Sequence, residues 1–298
     1  MSLARSDRGC GGQTPPTDTE ESAVAQVLAR IGGHPVGDGQ KLLLIAGPCV
    51  MEGEAHGLAH ARRVKALAER HGLPAIFKAS FDKANRSSGK SYRGPGLEKG
   101  LAAFQAVKRE TGLPCLTDVH ETWQAEPAGE VVDVIQVPAF LCRQTDLVMA
   151  CARAAKAVNV KKGQFLAPRE MRHAVAKCRE AGQENVLLTE RGATFGYGNL
   201  VVDMRALVQM RELGVPVCMD ATHSVQMPGS GGDTTAGDRQ FVAPLARAAA
   251  AVGIDAIFME IHEDPSVAKS DGPNSLDFDA AERVLRDVLA IRHALGQP

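Results

Sequence analysis

The sequence contains the stretch Phe77-Lys-Ala-Ser-Phe-Asp-Lys-Ala-Asn-Arg-Ser-Ser88, in which an apolar run changes into a cationic loop. The run Ala75-Ile-Phe77 is typical of a buried β-strand, and Lys78 and Ser80 follow on one face at strand spacing. Four further polar residues complete the loop: Lys83, Asn85, Arg86 and Ser87. So many donors suit a phosphate-bearing ligand, which arginine grips in bidentate fashion and lysine as a point charge. A solvated basic loop is the alternative, but a position at the end of an apolar strand favours a binding site.

The same change from apolar to polar residues recurs along the chain. Eight apolar, β-branched runs lie at 42–46, 75–77, 114–119, 134–138, 157–160, 186–189, 215–219 and 256–259. Amphipathic helical segments separate most of them, including Glu54–His71 and Phe278–Leu295. This pattern predicts an α/β protein with a single (β/α)8 TIM barrel. A doubly wound open sheet is the alternative, but no GxGxxG motif follows the first strand.

The barrel is predicted to occupy residues 41–298 and to follow an N-terminal extension over residues 1–40. The start of the extension is polar and rich in Gly, Pro, Thr and Asp, so we expect it to be partly disordered. Glu20–Ile31 is compatible with a short helix, and Ile31–Gln40 has the turn chemistry of a small hairpin. We expect residues before Lys41 to be dispensable for catalysis.

Composition excludes several classes of function. The formal net charge of −1 creates no global attraction to nucleic acid or to an anionic membrane, so phosphate binding must be local. No apolar run approaches the roughly 20 residues of a membrane span, and the N-terminus lacks a signal-peptide core. We therefore expect a cytoplasmic protein with neither nucleic-acid nor membrane partners. The seven cysteines form no CxxC pair, and most should be reduced and buried.

Polar side chains follow every predicted strand. They are Cys49, Lys78 and Ser80, Asp118 and His120, Gln136, Lys161, Glu190 and Arg191, Asp220 and His223, and Glu260 and His262. In a barrel these strand ends converge on the C-terminal face, where active sites lie. One polar strand end has a simple explanation as a solvated terminus, whereas eight together predict a site.

The cations divide between two anionic ligands. Lys78, Lys83, Lys161 and Arg191 suit one phosphate and one carboxylate, while Arg86 with Asn85 and Ser87 suits a second phosphate. Two anionic substrates indicate joining or exchange rather than simple hydrolysis. Asp118 and His120 are compatible with an acid/base pair, and equally with a salt-bridged rim.

Cys49, His223, Glu260 and Asp271 form a possible metal set, because they follow strands that become neighbours when the barrel closes. Thiolate, imidazole and carboxylate together suit one divalent ion such as Zn²⁺, Fe²⁺ or Mn²⁺. Taken singly, three of the four residues have a common structural explanation: packing for Cys49, a hydrogen-bonded core position for His223 and a turn for Asp271.

With these residues in place, the chain resembles the 3-deoxy-D-manno-octulosonate 8-phosphate synthase family from about Lys41 to the C-terminus. Eight motifs carry the resemblance: Ala46–Cys49, Phe77–Ser88, Ser91–Gly96, Thr117–Glu121, Gln136–Asp146, Asn159–Phe165, Arg191–Tyr197 and Asp220–His223. Two local departures affect loops only: Gly89-Lys90 replaces the usual Ile-His, and Glu260-Ile-His-Glu-Asp-Pro265 replaces the common Glu-Thr-His-Pro.

The resemblance implies condensation of phosphoenolpyruvate with arabinose 5-phosphate in lipopolysaccharide inner-core synthesis, by a homotetramer. Phosphoenolpyruvate would contact Lys78, Ser80, Lys83, Gln136, Lys161 and Arg191. The pentose phosphate would contact Asn85, Arg86 and Ser87, with Arg143 reaching across from a neighbouring subunit. Catalytic roles are predicted for Lys83, Asp118, His120 and His223. Some family members are metal-free and carry Asn at the position of Cys49, so Cys49 implies the metal-dependent branch, with ligands Cys49, His223, Glu260 and Asp271.

Two other functions remain open from the sequence. A sibling synthase that condenses erythrose 4-phosphate to a heptulosonate has a similar fold, but it typically shows Lys-Pro-Arg-Thr/Ser where this chain has Lys83-Ala-Asn-Arg-Ser87. A non-catalytic barrel that binds sugar phosphates is the other alternative. The absence of a substrate-binding cation or of a metal ligand would favour the non-catalytic barrel, but the sequence contains all of these residues.

Overall fold

The computed structural model describes residues 26–86, 88–228 and 236–298, and its centre is a closed barrel of eight parallel strands. The barrel strands are β3 Leu43–Gly47, β4 Ala75–Lys78, β5 Cys115–Asp118, β6 Val134–Val137, β7 Val158–Lys161, β8 Val186–Glu190, β11 Val217–Asp220 and β14 Ala256–Glu260. They pair in chain order, and β14 closes the ring on β3, with Ala256 opposite Leu43. Each predicted apolar run overlaps one barrel strand, so the predicted (β/α)8 fold is confirmed.

The described residues also form eight α-helices that surround the strands. They are α1 Glu54–His71, α2 Leu97–Thr111, α3 Thr122–Val131, α4 Thr145–Ala154, α5 Arg172–Glu180, α6 Arg205–Arg211, α7 Val242–Val252 and α8 Phe278–Ala294. The α1 helix has the predicted bounds, and it ends because Gly72 adopts a left-handed conformation with φ of 62°. As expected for an amphipathic helix, one face of α1, which includes Ala61, Val64 and Leu67, is buried against the strands.

Both faces of the barrel strands are buried, which explains why the strands read as continuous apolar runs. Leu43 and Ile45 of β3 belong to the core inside the barrel, together with Phe258 of β14. Leu42, Leu44 and Ala46, which alternate with them, belong to the larger core between strands and helices.

A β-hairpin fills the amino-terminal end of the barrel. Strands β1 Leu28–Ile31 and β2 His34–Gly37 pair antiparallel across Gly32 and Gly33, whose φ values of 58° and 84° suit a tight turn. Ile31 and Val36 are fully buried in the inner core. The Arg30 amide donates to Asn185, which directly precedes β8, so the hairpin contacts the side of the barrel where strands begin.

The hairpin predicted over Ile31–Gln40 is present, with its first strand beginning at Leu28. The helix predicted over Glu20–Ile31 is wrong for Leu28–Ile31, because alternating burial of Ala29 and Ile31 selects a strand. Residues 1–25, predicted to be partly disordered, lie outside the described residues.

Two short antiparallel ladders lie in the loops after β8 and β11. The first joins β9 Ala193–Thr194 to β10 Leu200–Val201, and the second joins β12 Gln226–Met227 to β13 Ala236–Gly237. Across the described ranges, every helix is too short or too polar to cross a membrane.

Candidate active site

A cavity of 210 Å³ opens at the carboxyl ends of the strands. Eleven of the predicted site residues line it: Lys78, Lys83, Asn85, Arg86, Asp118, His120, Gln136, Lys161, Arg191, His223 and Asp271. A second cavity of 480 Å³, called the outer cavity below, is lined by residues of the loops after β4 and β14. It shares Asn85, Arg86 and Asp271 with the first, which is called the inner cavity. The convergence predicted from the strand ends therefore produces two adjoining cavities with a common border.

Lys161 and His223 are both held by Asp220, at the end of β11. The Asp220 carboxylate lies 2.6 Å from Lys161 Nζ and 2.7 Å from His223 Nδ1. Burial and the neighbouring Lys78 lower the pKa of Lys161, although Asp220 opposes this. Because Asp220 takes the Nδ1 side of the ring, His223 presents Nε2, which lies 3.3 Å from Glu260 Oε1.

Lys78 is buried at the end of β4, beside Glu260. Its ammonium group donates to Glu260 Oε1 at 2.7 Å and to the carbonyl of Cys49 at 3.0 Å. Strand β3 approaches β4 so closely here that a Cβ on Gly47 would lie 2.0 Å from the carbonyl oxygen of Lys78. The glycine of the Ala46–Cys49 motif is therefore needed for the backbone approach that places Cys49 beside β4.

Gln136 has an amide whose orientation is fixed inside the barrel. Thr189 donates to Asn159 at 2.6 Å, and Asn159 donates to Gln136 Oε1 at 3.0 Å. Since this chain of hydrogen bonds uses the oxygen, Gln136 has its Nε2 group left to donate to a ligand.

The loop after β4 presents Arg86 between the two cavities. Its guanidinium donates to the carbonyl of Tyr92 at 2.8 Å and 3.0 Å, and to Ser270 Oγ at 2.8 Å. These bonds tie the β4 loop to the loop that carries Asp271. Asn85 is exposed beside it, and Ser87, also predicted to bind phosphate, lies outside the described residues.

Lys83 lies among acidic groups at the start of the same loop. Burial alone would lower its pKa, but Cys49, Asp118, Glu260 and Asp271 outweigh burial and raise the pKa above its usual value. Lys83 therefore stays charged in the site.

Cys49, Glu260 and Asp271 lie close enough to share one ion, with ligand atoms within 4.8 Å of one another. The Cys49 sulfur is 3.0 Å from Asp271 Oδ2, and Glu260 Oε2 is buried without a hydrogen-bond partner among the described residues. His223 does not fall within this group of three, but its Nε2 faces Glu260. An orphaned carboxylate oxygen beside a thiol and a second carboxylate fits a divalent cation.

The electrostatics of this group favour a cation. Burial, followed by the charges of Asp271 and Glu260, raises the pKa of Cys49 well above its usual value. Burial would also raise the pKa of Asp271, but His223 and Lys83 reverse the shift and lower it to about 2. Asp271 also has a positive φ of 50°, a conformation that few residues other than glycine adopt. A carboxylate that stays ionised is thus held in a strained conformation next to a thiol that needs a cation to ionise.

Three histidines form a second compact group, made by His56 and His60 of α1 with His262. His60 donates from Nδ1 to the carbonyl of His56 at 2.9 Å, and its Nε2 accepts from the Glu263 amide at 3.2 Å. His262 Nδ1 accepts from the Asp264 amide at 3.1 Å, so its Nε2 carries the proton and donates to His56 Nε2 at 3.3 Å. Because backbone amides occupy the lone pairs of His60 and His262, we interpret this group as a hydrogen-bonded brace between α1 and the loop after β14.

Asp118 and His120 are in contact at the cavity wall. The distance between Asp118 Oδ2 and His120 Nε2 is 3.2 Å, and Asp118 Oδ1 and His120 Nδ1 have no partner among the described residues. Burial would raise the pKa of Asp118, but the charge of Lys83 and the hydrogen bond from His120 hold it well below its usual value.

Several predicted residues do not line the inner cavity. Ser80 is fully buried after β4, and Arg143 is exposed beside a different cavity that includes His173 and Lys177. Glu190 is buried, and its carboxylate accepts from the amides of Arg191 and Gly192. His262 belongs to the histidine brace.

Two amide side chains that line the cavity were not predicted. Gln164 lies three residues after Lys161, and Gln226 lies three residues after His223. Gln226 accepts from Arg191 and donates to Asp271. A neutral glutamine in a loop gives little sequence signal, and only its distance from a predicted strand end would have pointed to it.

Comparison with known proteins identifies relatives over most of the chain. A family model described as the DAHP synthetase I family matches residues 20–294. A 2-dehydro-3-deoxyphosphooctonate aldolase from a Synechococcus species is 56% identical over 273 residues, which cover 91% of this chain and 96% of that protein. Proteins of the same name from Syntrophotalea carbinolica and a Geobacter species are 56% and 51% identical, and the matches cover 87% and 90% of this chain and 92% and 98% of those proteins. The chain belongs to the DAHP synthetase I family.

Proposed function

We propose that this protein condenses phosphoenolpyruvate with D-arabinose 5-phosphate and water to give 3-deoxy-D-manno-octulosonate 8-phosphate and phosphate, a step of lipopolysaccharide inner-core synthesis. The observation that carries the proposal is the pair of adjoining cavities bordered by Asn85, Arg86 and Asp271, which can hold two anionic substrates end to end. The names of the relatives support the same reaction.

Phosphoenolpyruvate is proposed to bind in the inner cavity. Lys78, Lys83, Lys161 and Arg191 supply positive charge there, and Gln136 has a free amide donor. Ser80, which is fully buried after β4, is also proposed to contact this substrate. Arginine and lysine can neutralise the phosphate and the carboxylate of this substrate, which would otherwise repel a second anion.

The pentose phosphate is proposed to extend into the outer cavity. Arg86, Asn85 and Ser87 would hold its phosphate, which places the aldehyde at the shared border near Asp271. The volume of the outer cavity, 480 Å³, favours a sugar phosphate over a small nucleophile.

One divalent ion is proposed to bind Cys49, His223, Glu260 and Asp271. When bound, it would supply Lewis-acid stabilisation, either by orienting the aldehyde oxygen or by acidifying a water molecule. The mixed sulfur, nitrogen and oxygen donors suit Zn²⁺, Fe²⁺ or Mn²⁺.

In the reaction, C3 of phosphoenolpyruvate attacks the aldehyde carbon, and C2 becomes electron-poor and takes up water before the C–O bond to phosphate breaks. The chain contributes mainly alignment and charge compensation. Lys83 lies where it can stabilise the developing negative charge. Asp118 stays ionised, so we assign proton transfer in the Asp118–His120 pair to His120. His223 is proposed both to bind the divalent ion and to help orient the substrates.

A phosphate-release assay tests the proposed function. Purified protein should release phosphate from phosphoenolpyruvate with arabinose 5-phosphate, should be far slower with erythrose 4-phosphate, and should lose activity reversibly with chelator. A preference for erythrose 4-phosphate would identify the sibling heptulosonate synthase. Binding of sugar phosphate with no phosphate release would identify a non-catalytic barrel.

We also propose that the protein is a cytoplasmic homotetramer in which Arg143 completes the site of a neighbouring subunit. Three exposed aromatic side chains around the same end of the barrel, Phe140, Phe165 and Phe195, support an interface there. Inactive Arg143→Ala and Lys161→Ala chains should regain activity when they are refolded together, because mixed assemblies contain some intact sites. No recovery in a verified mixed tetramer would show that Arg143 does not complete the site of a neighbouring subunit.

A further inference from the structure

The side chain of Gln226 connects the two halves of the candidate site. Its Oε1 accepts from Arg191 Nη2, and its Nε2 lies 3.2 Å from Asp271 Oδ1 as a donor. One end of the amide therefore contacts a cation proposed to bind phosphoenolpyruvate, and the other end contacts a proposed metal ligand. Gln226 is buried, and its backbone is fixed by pairing with Gly237 in the β12–β13 ladder.

The polarity of the amide allows only one orientation between these partners. A guanidinium has no acceptor and an ionised carboxylate has no donor, so the oxygen must face Arg191 and the nitrogen must face Asp271. Each contact uses one polar atom of Arg191 or Asp271 and leaves a second polar atom available to bind a ligand. Arg191 Nη1 is buried without a partner among the described residues, and Asp271 Oδ2 faces the Cys49 sulfur at 3.0 Å.

We propose that Gln226 is a positioning residue that couples phosphoenolpyruvate binding at Arg191 to divalent-ion binding at Asp271; this rests on the proposed function. An anion on Arg191 Nη1 and a cation on Asp271 Oδ2 both favour the arrangement in which the amide bridges the two side chains. Each ligand therefore stabilises the arrangement that the other requires, which makes the coupling positive. By linkage, each ligand raises the affinity of the other by the same factor.

Titration of metal-free protein with Cd²⁺, followed by cadmium–thiolate absorption, tests the coupling without an activity measurement. The titration is repeated with saturating phosphoenolpyruvate, and the ratio of the two dissociation constants gives the coupling factor. In the unaltered protein we expect phosphoenolpyruvate to tighten Cd²⁺ binding at least about fivefold. In Gln226→Met, which keeps the bulk of the side chain but removes both hydrogen bonds, the factor should fall to within about twofold of one.

Gln164→Met is the matched control, because Gln164 lines the same cavity and undergoes the same chemical change. It should retain the coupling factor even if phosphoenolpyruvate binds more weakly. Gln226→Ala is a second test variant, because it removes the amide without the risk that a methionine packs poorly. It should lose the coupling in the same way.

The outcomes separate this inference from the proposed function. A coupling factor of one in the unaltered protein, or an unchanged factor in both Gln226 variants, would overturn the role of Gln226 while leaving the reaction intact. If Cys49 is a ligand, Cd²⁺ should produce a thiolate absorption band that is lost in Cys49→Ser. If no such band forms, or if it persists in Cys49→Ser, the proposed metal set is overturned and the coupling with it.

Discussion

At the scale of single residues, the thiol of Cys49 is the most informative group in the site. It is buried beside two carboxylates, Asp271 and Glu260, and this surrounding raises the pKa of the thiol. A bound cation would reverse that effect and make the thiolate the stable form. The surroundings of Cys49 therefore agree with the proposed role of its thiolate as a metal ligand.

Cys49→Ala should lose the metal and the activity together while the barrel stays folded, because the change removes one ligand and only a small buried side chain. Elemental analysis and the phosphate-release assay measure the two effects. Cys151→Ala, which removes a buried thiol in α4, is the control and should keep both metal and activity. Full activity in protein shown to be free of metal would refute the assignment of the metal site.

Arg86→Ala should raise KM for arabinose 5-phosphate about tenfold to a hundredfold, because a charge-assisted hydrogen bond contributes about 1.5–3 kcal/mol. KM for phosphoenolpyruvate should change much less, since Arg86 lies at the border with the outer cavity. Arg86→Lys keeps the charge without the bidentate geometry and should have an intermediate effect. Equal increases in both KM values would show that Arg86 is not specific for the pentose phosphate.

Most residues that line the inner cavity could be predicted, because charged side chains at or after the ends of apolar strands are unusual and easily recognised. Lys161, Arg191 and Asp271 all line the inner cavity. Gln164 and Gln226 were missed because a neutral glutamine in a loop gives little sequence signal. The contacts of Gln226 with Arg191 and Asp271 also join segments that are distant along the chain.

At the scale of secondary-structure elements, burial explains why the barrel strands were predicted correctly and why the helix predicted at Leu28–Ile31 was wrong. The barrel strands were predictable because burial on both faces demands unbroken apolar runs. The segment Leu28–Ile31 is too short to show a period, and its strand conformation depends on packing of Ile31 inside a barrel end formed by distant residues. Local sequence could not reveal that contact.

The histidine brace makes a testable contribution to the pH dependence of stability. Burial, helped by His56, His262 and Arg63, lowers the pKa of His60 to about 3, from the ordinary value of 6.5. Between these values the unfolded chain binds a proton that the folded chain does not, so stability falls as pH decreases, by up to about 1.4 kcal/mol per pH unit. The Glu263 amide also faces the ring and requires the neutral form.

His60→Gln should therefore reduce the slope of unfolding free energy against pH between about pH 4 and 6, because glutamine does not titrate. Urea denaturation at several pH values measures the slope. His173→Gln on α5, which changes an exposed histidine, should leave the slope unaltered. An unchanged slope in His60→Gln would show that His60 is protonated in the folded protein.

At the scale of the whole molecule, the boundary of the barrel lies further toward the N-terminus than residue 41. The hairpin buries Ile31 and Val36 in the same core as Leu43 and Phe258. We therefore expect only the residues before the hairpin, and not all residues before Lys41, to be dispensable for catalysis.

A chain that begins at residue 26 should keep its turnover within about twofold, because the removed segment has a composition that buries little apolar surface. A chain that begins at residue 38 should be strongly destabilised, since loss of each large buried aliphatic side chain costs about 2–5 kcal/mol. Thermal unfolding and the phosphate-release assay compare the two chains. Equal stability of both would show that the hairpin is an appendage.

The packing inside the barrel also decides from which side molecules reach the site. Ile31 and Val36 of the hairpin pack with Leu43 and Phe258 in the inner core, so in the described part of the chain no channel runs through the middle of the barrel. Phosphoenolpyruvate and the pentose phosphate, which are assigned to adjoining cavities, therefore both enter from the carboxyl ends of the strands. The two products leave from that same side.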